Sequence, residues 1–174
     1  MVYIKRAEGT FVNDHYVPRM LSPVLYSIIL QNNRWEDFVE LRRAIEIGTL
    51  YSLISHAPTR EQLAPLRDAL AELERAVSDE EKNVQRITEA DCAFHNVIIA
   101  LTGNPQLITL SEYINRITVP SREKTTETVI ANGEIISYVH LHRELYQIIV
   151  EGNKAAIEQA VLNHYIFWEK TNQE

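Results

Sequence analysis

Apolar residues recur every three or four positions through most of the chain, which is the period of an amphipathic α-helix. Short motifs that end helices interrupt this pattern: Ala57-Pro58-Thr59, Gly103-Asn104-Pro105 and Gly152-Asn153. Only five glycines are present, so sharply turning loops should be rare. About six or seven helices joined by short turns bury their apolar faces best as an antiparallel bundle. The sequence therefore predicts an all-α fold for most of the chain.

Capping signals indicate where the predicted helices begin and end. The residues expected to open helices are Ser22-Pro23, Thr59 with Gln62, Thr88 with Asp91, Asn104-Pro105 and Asn153. Gly152 should close the helix before it in the left-handed conformation. The helix that starts at Pro105 should end near Pro120, and the polar segment 121–134 is the longest loop candidate, although part of it can be helical.

The first thirteen residues follow a different pattern. VYIKR and GTFVN are short β-branched and aromatic stretches separated by Ala7-Glu8-Gly9, which predicts a two-stranded hairpin with glycine at the turn. An isolated hairpin is marginal in water, so we expect residues 1–13 to be the remnant of a larger unit. Residues 14–21 have the composition of a linker, and residues 22–174 form the predicted helical domain.

Composition excludes several classes of protein. The formal net charge is −7, whereas a protein that holds nucleic acid by its general charge needs a basic face. The single cysteine, Cys92, rules out an internal disulfide. The start of the chain does not resemble a signal peptide, and the longest apolar stretches are far shorter than the roughly 20 residues of a membrane helix. We expect a soluble cytoplasmic protein without a membrane partner.

Four titratable residues on three predicted helices are candidates for a metal site. Asp91 and His95 are four residues apart and therefore lie on one face of one helix. His142 lies near the start of the penultimate helix, and His164 lies inside the last one. In a helical bundle, inward side chains of several helices can meet at one point. One carboxylate and three imidazoles suit a divalent ion such as zinc, nickel or manganese.

The residues alone leave other interpretations open. An Asp/His pair at this spacing is more often a surface pair or a satisfied polar contact than a metal site. His140 competes with His142, because residues two apart cannot face the same way on a helix.

The charged residues of other predicted helices also have two interpretations. Arg42 and Glu46 can form an intrahelical ion pair, or Arg42 can recognise an anion while Glu46 holds it. Arg116 and Arg122, with Tyr113, could line the same cavity, but we expect solvated positions for them.

Several motifs together resemble a known family. D-x-x-F-H at 91–95 followed by GNPQL at 103–107, ELRRAIE at 40–46 and the closing segment 142–164 resemble the effector-binding (FCD) domain of GntR-family transcription regulators, in the FadR-like branch. VYIKRAEGTFV is similar to the wing that ends the winged helix-turn-helix domain of that family. The helix-turn-helix itself is absent from these residues, so we expect a fragment of a longer regulator.

The resemblance implies a ligand set and a function. The metal-binding residues of the family correspond to Asp91, His95, His142 and His164, which favours His142 over His140. An open coordination position would accept water or the carboxylate of a small organic acid. The residues that we assign to effector binding are Arg42, which would pair with the acid, Glu46, Tyr113 and Arg116. The resemblance further implies a homodimeric sensor that controls operator binding through a winged-helix domain missing from this chain.

Two other functions compete with this hypothesis. A helical metalloenzyme acting on small organic acids could use the same four residues to activate water. It would need a general base near the open position, and Glu46 is the evident candidate. A dimerisation module with a silent pocket is the other alternative. We expect a sensor and not an enzyme.

Overall fold

The computed structural model describes residues 2–6, 9–12 and 35–171. The chain divides into two compact units, Met1–Arg34 and Trp35–Glu174. The predicted linker at 14–21 and the predicted short helix after Ser22-Pro23 lie outside the described residues.

The first unit contains the predicted hairpin. Strand β1 (Val2–Lys5) pairs antiparallel with β2 (Gly9–Val12), so that Val2 is opposite Val12 and Lys5 is opposite Gly9. Gly9 has φ +123°, a conformation that residues with a Cβ rarely adopt. The predicted hairpin is confirmed, with Gly9 as the first residue of β2, whereas its origin in a winged-helix domain stays a prediction.

The second unit is all-helical, as predicted. Residues 35–171 contain seven α-helices: α1 (Trp35–Ser55), α2 (Ala64–Ser78), α3 (Val84–Leu101), α4 (Pro105–Ala131), α5 (Ile135–Glu151), α6 (Ile157–His164) and α7 (Ile166–Thr171). A single 3-10 turn, Lys154–Ala156, precedes α6. From α2 onward, consecutive helices are joined by short connections and pack against each other, as in a helical bundle.

The apolar side chains between these helices form two buried clusters. The first cluster contains Phe94 and Leu145 and joins α1, α2, α3, α5, α6 and α7. The second contains Leu73 and Val129 and joins α2, α3, α4, α5 and α7. All four of these side chains are fully buried. The Phe94 ring packs edge-on against the rings of His95 and His142, so the core directly supports the histidines.

Most of the predicted helix signals form the expected local structure. Thr59 and Gln62 exchange the two hydrogen bonds of a capping box before α2. Asn104 accepts hydrogen bonds from two backbone N–H groups at the start of α4, and Pro105 is the first residue of that helix. Gly152 closes α5 with φ +66°, as predicted.

Two predicted caps are wrong. Helix α3 begins one turn before Thr88, because Asn83 accepts a hydrogen bond from the backbone N–H of Arg86. Thr88 is instead buried inside α3, where its hydroxyl lies 3.2 Å from that of Thr126 on α4. The Asn153 side chain makes no capping hydrogen bond, and the last predicted helix is divided into the 3-10 turn, α6 and α7.

The predicted end of a helix near Pro120 is also wrong. Helix α4 continues through Pro120 to Ala131, and the candidate loop at 121–134 is mostly helical. Proline removes one backbone hydrogen bond, but tertiary packing of the following turns compensates for it. The buried side chains of those turns are Arg122, Thr125, Thr126 and Val129. Three of these four are polar, so apolar periodicity does not reveal this face of the helix.

None of the helices among the described residues is long and apolar enough to cross a membrane.

We predict that glycine and alanine at position 124 differ in their effect on stability as they do in the interior of a helix. Lys124 is exposed on α4, so Lys124→Gly should be less stable than Lys124→Ala by about 1 kcal/mol, because glycine loses more backbone entropy in a helix than alanine does. Urea unfolding of both variants measures this difference. Equal stabilities would contradict a continuous α4.

Candidate metal centre

The structure brings the four predicted metal ligands together. Asp91 and His95 lie one turn apart on α3, His142 lies on α5, and His164 is the last residue of α6. One potential ligand atom of each residue lies within 4.8 Å of the others. Asp91, His95 and His142 are buried, and His164 is half-buried. Three helices thus contribute to one cluster, as the helical pattern predicts.

The Asp91 carboxylate is at the centre of the hydrogen bonding in this cluster. Its Oδ1 lies 2.7 Å from His142 Nε2 and 3.6 Å from His95 Nε2. Its Oδ2 accepts a hydrogen bond from Arg122 Nη1 on α4. Burial by itself raises the pKa of Asp91, but the hydrogen bonds to His142 and His95 hold the pKa well below its usual value. Asp91 is therefore ionised, as a metal ligand must be.

Two histidines are oriented by contacts on their outer nitrogen. His142 Nδ1 lies 2.9 Å from the carbonyl oxygen of Tyr138, which can only accept, so Nδ1 carries the proton. His95 Nδ1 lies 3.3 Å from Glu46 Oε1, so a proton on Nδ1 would likewise face an oxygen atom that only accepts. In their neutral forms, both rings then direct the lone pair of Nε2 towards Asp91. A carboxylate or carbonyl behind a histidine is the support that metal-binding imidazoles usually have.

The inward Nε2 atoms of the three histidines lie close to other atoms that can accept a proton or bind a metal ion. His95 Nε2 and His164 Nε2 are 3.0 Å apart, and His142 Nε2 faces a carboxylate oxygen. Burial lowers the pKa of His95, but the charge of Glu46 and the hydrogen bond to Asp91 outweigh it and raise the pKa to about 9. Burial and the nearby His142 hold the pKa of His164 well below its usual value. Protons or a metal ion can supply the positive charge.

The donor set fits a divalent ion. A tetrahedral zinc ion with bonds of about 2.0–2.1 Å separates its ligand atoms by about 3.3 Å. The His142–Asp91 and His95–His164 separations of 2.7 Å and 3.0 Å are slightly shorter, and the widest separation in the group is below 4.8 Å. Shifts of about an ångström or less would make the cluster a binding site. One oxygen and three imidazole nitrogens suit zinc, nickel or manganese.

Two small cavities adjoin this cluster, and each has a volume of about 30 Å³, enough for roughly two or three water molecules. Asp91, His164 and Arg122 line the first cavity together with the ring of Trp168. The second cavity is lined by Glu46 and His95 and by largely apolar residues of α1, α3 and α4. Arg42 borders both cavities.

Two of the four predicted effector-binding residues lie at these cavities. Arg42 is buried, donates a hydrogen bond to Thr118 Oγ1 and lies 4.1 Å over the ring of Trp168. Glu46 accepts a hydrogen bond of 2.7 Å from the Tyr165 hydroxyl. Both residues are thus held by partners outside α1.

The other two predicted effector-binding residues lie elsewhere. Arg116 is exposed and its guanidinium lies 5.7 Å over the ring of Tyr113, which is half-buried. Neither residue lines the two cavities beside the metal cluster. Their part in effector binding stays a prediction that this geometry does not support.

The sequence-based expectation for Arg122 is wrong. Arg122 is buried and not solvated, because it neutralises Asp91 inside the bundle. The available signal is the helical spacing of Thr118, Arg122, Thr125 and Thr126, which places all four on one face of α4. His140, by contrast, is exposed and lies 3.4 Å from Glu144.

Comparisons with known proteins agree with this architecture. A family model described as FCD domain matches residues 37–167. The HTH-type transcriptional regulator LutR of Bacillus subtilis (strain 168) is 21% identical over 166 residues, which cover 94% of this chain and 74% of LutR. The solved structure of Streptococcus agalactiae GntR superposes with a TM-score of 0.64 at 21% identity, over 97% of this chain and 74% of that one. This structural likeness supports the fold.

We predict that Asp91 stabilises the fold mainly by compensating the buried charge of Arg122. In buffer with EDTA, Asp91→Ala should lower the free energy of unfolding by about 3–5 kcal/mol, because Arg122 keeps a buried and uncompensated charge. The double variant Asp91→Ala/Arg122→Met should recover part of this loss. His140→Ala, an exposed control, should stay within about 0.5 kcal/mol of the parent. A double variant as unstable as Asp91→Ala would argue against this pairing.

Proposed function

The chain belongs to the FCD domain family, the ligand-sensing domain of GntR-type transcription regulators, and we propose that it senses a small carboxylate bound beside a divalent metal ion. The family consists of transcription regulators, in agreement with the prediction that the chain is not an enzyme. The metal, the carboxylate and the residues that hold them are our proposal.

The observation that carries the metal part of the proposal is the cluster of Asp91, His95, His142 and His164. In a cluster with a purely structural role, each polar atom needs only a hydrogen-bond partner. A metal site differs because several lone pairs are directed at one point, where the ion binds. Here Asp91 and His142 are hydrogen-bonded on their outer atoms to Arg122 and to the Tyr138 carbonyl, and His95 Nδ1 lies 3.3 Å from the Glu46 carboxylate. Such support fixes the ligands before the ion binds.

The charge of the site supports an anionic effector. Apart from the histidines, the buried or largely buried charged groups of the site are Asp91, Glu46, Arg42 and Arg122, whose charges cancel. With a divalent ion held by Asp91 and three neutral histidines, the buried site would therefore carry the charge of the ion without compensation. Uncompensated buried charge is costly, so a bound anion would be favoured.

A carboxylate suits the space and the chemistry. The metal, when bound, would attract a carboxylate oxygen as a Lewis acid. Arg42 and Arg122 border the cavity that contacts Asp91 and His164, and they supply N–H donors for an anion. The aromatic rings of Phe167 and Trp168 also line this cavity and would exclude water from the ligand.

The same contacts offer a route from the site to α1. His164 ends α6, and the next residue, Tyr165, holds Glu46 of α1 through its hydroxyl. Glu46 in turn supports His95 of α3. Effector binding that moved His164 would therefore act on two further helices. The effector can shift the conformational equilibrium only by its difference in affinity for the two states.

We further propose how this domain serves the intact regulator. Residues 1–13 would be the wing of a winged-helix domain, residues 14–21 the linker and residues 22–174 the effector-binding domain. In a cytoplasmic homodimer, the effector would change the spacing of two DNA-binding domains on the operator. The regulator, and not the acidic helical domain alone, would bind DNA.

We predict that metal co-purifies with the chain. Protein purified without chelators should contain about one divalent ion per chain, and His142→Ala/His164→Ala should have lost it, because two of four ligands are gone. His140→Ala should keep the parental metal content, since His140 lies outside the cluster. Elemental analysis by mass spectrometry measures all three proteins. Equal metal content in the parent and the double variant would disprove the site.

We also predict metal-dependent binding of small carboxylates. A carboxylate at roughly 100 times its Kd should stabilise the zinc-loaded chain by about 2.7 kcal/mol, or raise Tm by about 5–10 °C. The chelator-treated chain should respond much less, because the metal is part of the binding site. Thermal unfolding with a panel of small acids measures this effect, and NMR of the acids tests for turnover. An acid that is consumed would support the enzyme hypothesis, and no response to any acid would support a silent pocket.

A further inference from the structure

We propose that Arg122 binds the carboxylate of the effector with one edge of its guanidinium while it orients Asp91 with the other. This inference rests on the proposed function, because it concerns the same site. It assigns the principal anion-binding role to Arg122 and not to Arg42, the residue that the sequence resemblance indicates.

The bond between Arg122 and Asp91 is compatible with a metal ligand role of Asp91. Arg122 Nη1 donates to Asp91 Oδ2, whereas the histidine nitrogens lie near Oδ1. An ion held by Oδ1 therefore leaves the contact of Arg122 with Oδ2 in place. Arg122 would then fix the orientation of Asp91, as a residue behind a metal ligand commonly does.

The remaining donors of Arg122 match the geometry of a carboxylate. Nε and Nη2 are buried and have no hydrogen-bond partner among the described residues. These two nitrogens lie on the same edge of the guanidinium, and their parallel N–H groups match the two oxygens of a carboxylate. Buried donors of a charged group are costly to leave unpaired. The geometry of this edge thus selects a planar anion with two oxygens.

The adjoining cavity has the size for such a group. Arg122 lines the cavity of about 30 Å³ together with Asp91 and His164, and this volume holds roughly two or three water-sized groups. A carboxylate group has three heavy atoms. An acid with a short apolar tail could place its tail beside the rings of Phe167 and Trp168, which line the same space.

Arg42 is less available for the effector. Its Nη1 donates to Thr118 Oγ1, and its guanidinium lies 4.1 Å from the centre of the Trp168 ring. The guanidinium of Arg122 lies farther from that ring, at 6.0 Å. Arg42 contributes positive charge to the cavity, whereas Arg122 supplies the free pair of donors.

A purely structural role of Arg122 makes a different experimental prediction. If Arg122 only neutralised Asp91, its replacement would change stability and metal affinity but not the affinity of a metal-saturated site for an anion. The test therefore measures acetate binding at saturating zinc. Acetamide, a neutral analogue of the same shape, serves as the control ligand.

The experiment uses the whole 174-residue chain and isothermal titration calorimetry. With zinc saturating, Arg122→Gln should bind acetate at least tenfold more weakly than the parent, and acetamide binding should not differ. Arg122→Lys keeps a charge but lacks the paired donors, so its acetate affinity should fall at least threefold. Arg43→Gln is the matched control, because Arg43 is bonded to Glu169 and lines neither cavity. Its acetate affinity should stay within twofold of the parent.

A chelator competition assay tests the orienting role. Zinc affinity should fall roughly 10- to 100-fold in Arg122→Gln and should be unchanged in Arg43→Gln. If Arg122→Gln fails to fold, Arg122→Lys decides the outcome in both assays.

The outcomes separate this inference from the proposed function. If the parent takes up zinc and both Arg122→Gln and Arg122→Lys bind acetate as tightly as the parent, only the role of Arg122 is overturned. A parent that takes up no zinc, or binds zinc but no acetate, would overturn the proposed function and this inference together.

Discussion

The packing of helices at the centre of this bundle depends on how one buried carboxylate, that of Asp91, is compensated. Asp91 is almost inaccessible to solvent, and taking an ion of this kind out of water costs several kcal/mol unless partners replace the water. Those partners come from three helices: His95 from α3, Arg122 from α4 and His142 from α5. The approach of α4 and α5 to α3 is therefore tied to the charge of a single residue. Removing that residue would leave its partners uncompensated.

A second set of contacts extends this network to α1 and the end of the chain. Glu46 supports His95 and accepts a hydrogen bond from Tyr165, while Arg42 lies against Trp168. Polar networks in a low-dielectric interior are strong when every member is satisfied and costly when one is not. Among the described residues, the buried side-chain atoms without a hydrogen-bond partner are Glu46 Oε1, Ser111 Oγ, Arg122 Nε and Nη2, and His164 Nδ1, and all of them belong to residues that line the two cavities. That location is the physical reason for assigning ligands to the site.

Sequence-based prediction succeeded for the apolar helices and failed where a buried face is polar. The capping box at Thr59 and the glycine end at Gly152 formed as predicted, because such motifs are decided by local hydrogen bonds and backbone conformation. Residues 121–134 were the longest loop candidate, with only part of the segment expected to be helical, because the inward face of this part of α4 carries the polar residues Arg122, Thr125 and Thr126. Apolar periodicity detects a helix that faces a hydrophobic core. It does not detect one that faces a charged cluster.

The sequence by itself determined the all-α class and the hairpin, because the period of the apolar residues distinguishes helices from strands. The family motifs in the sequence indicated the four residues of the candidate metal centre. Only the tertiary structure decided that Arg122 is buried against Asp91, that Arg42 and Glu46 have partners outside α1, and that Arg116 is exposed. The reason is physical. Periodicity along the chain fixes the faces of each helix, but the packing of helices far apart in sequence decides which faces meet and which charges must be paired.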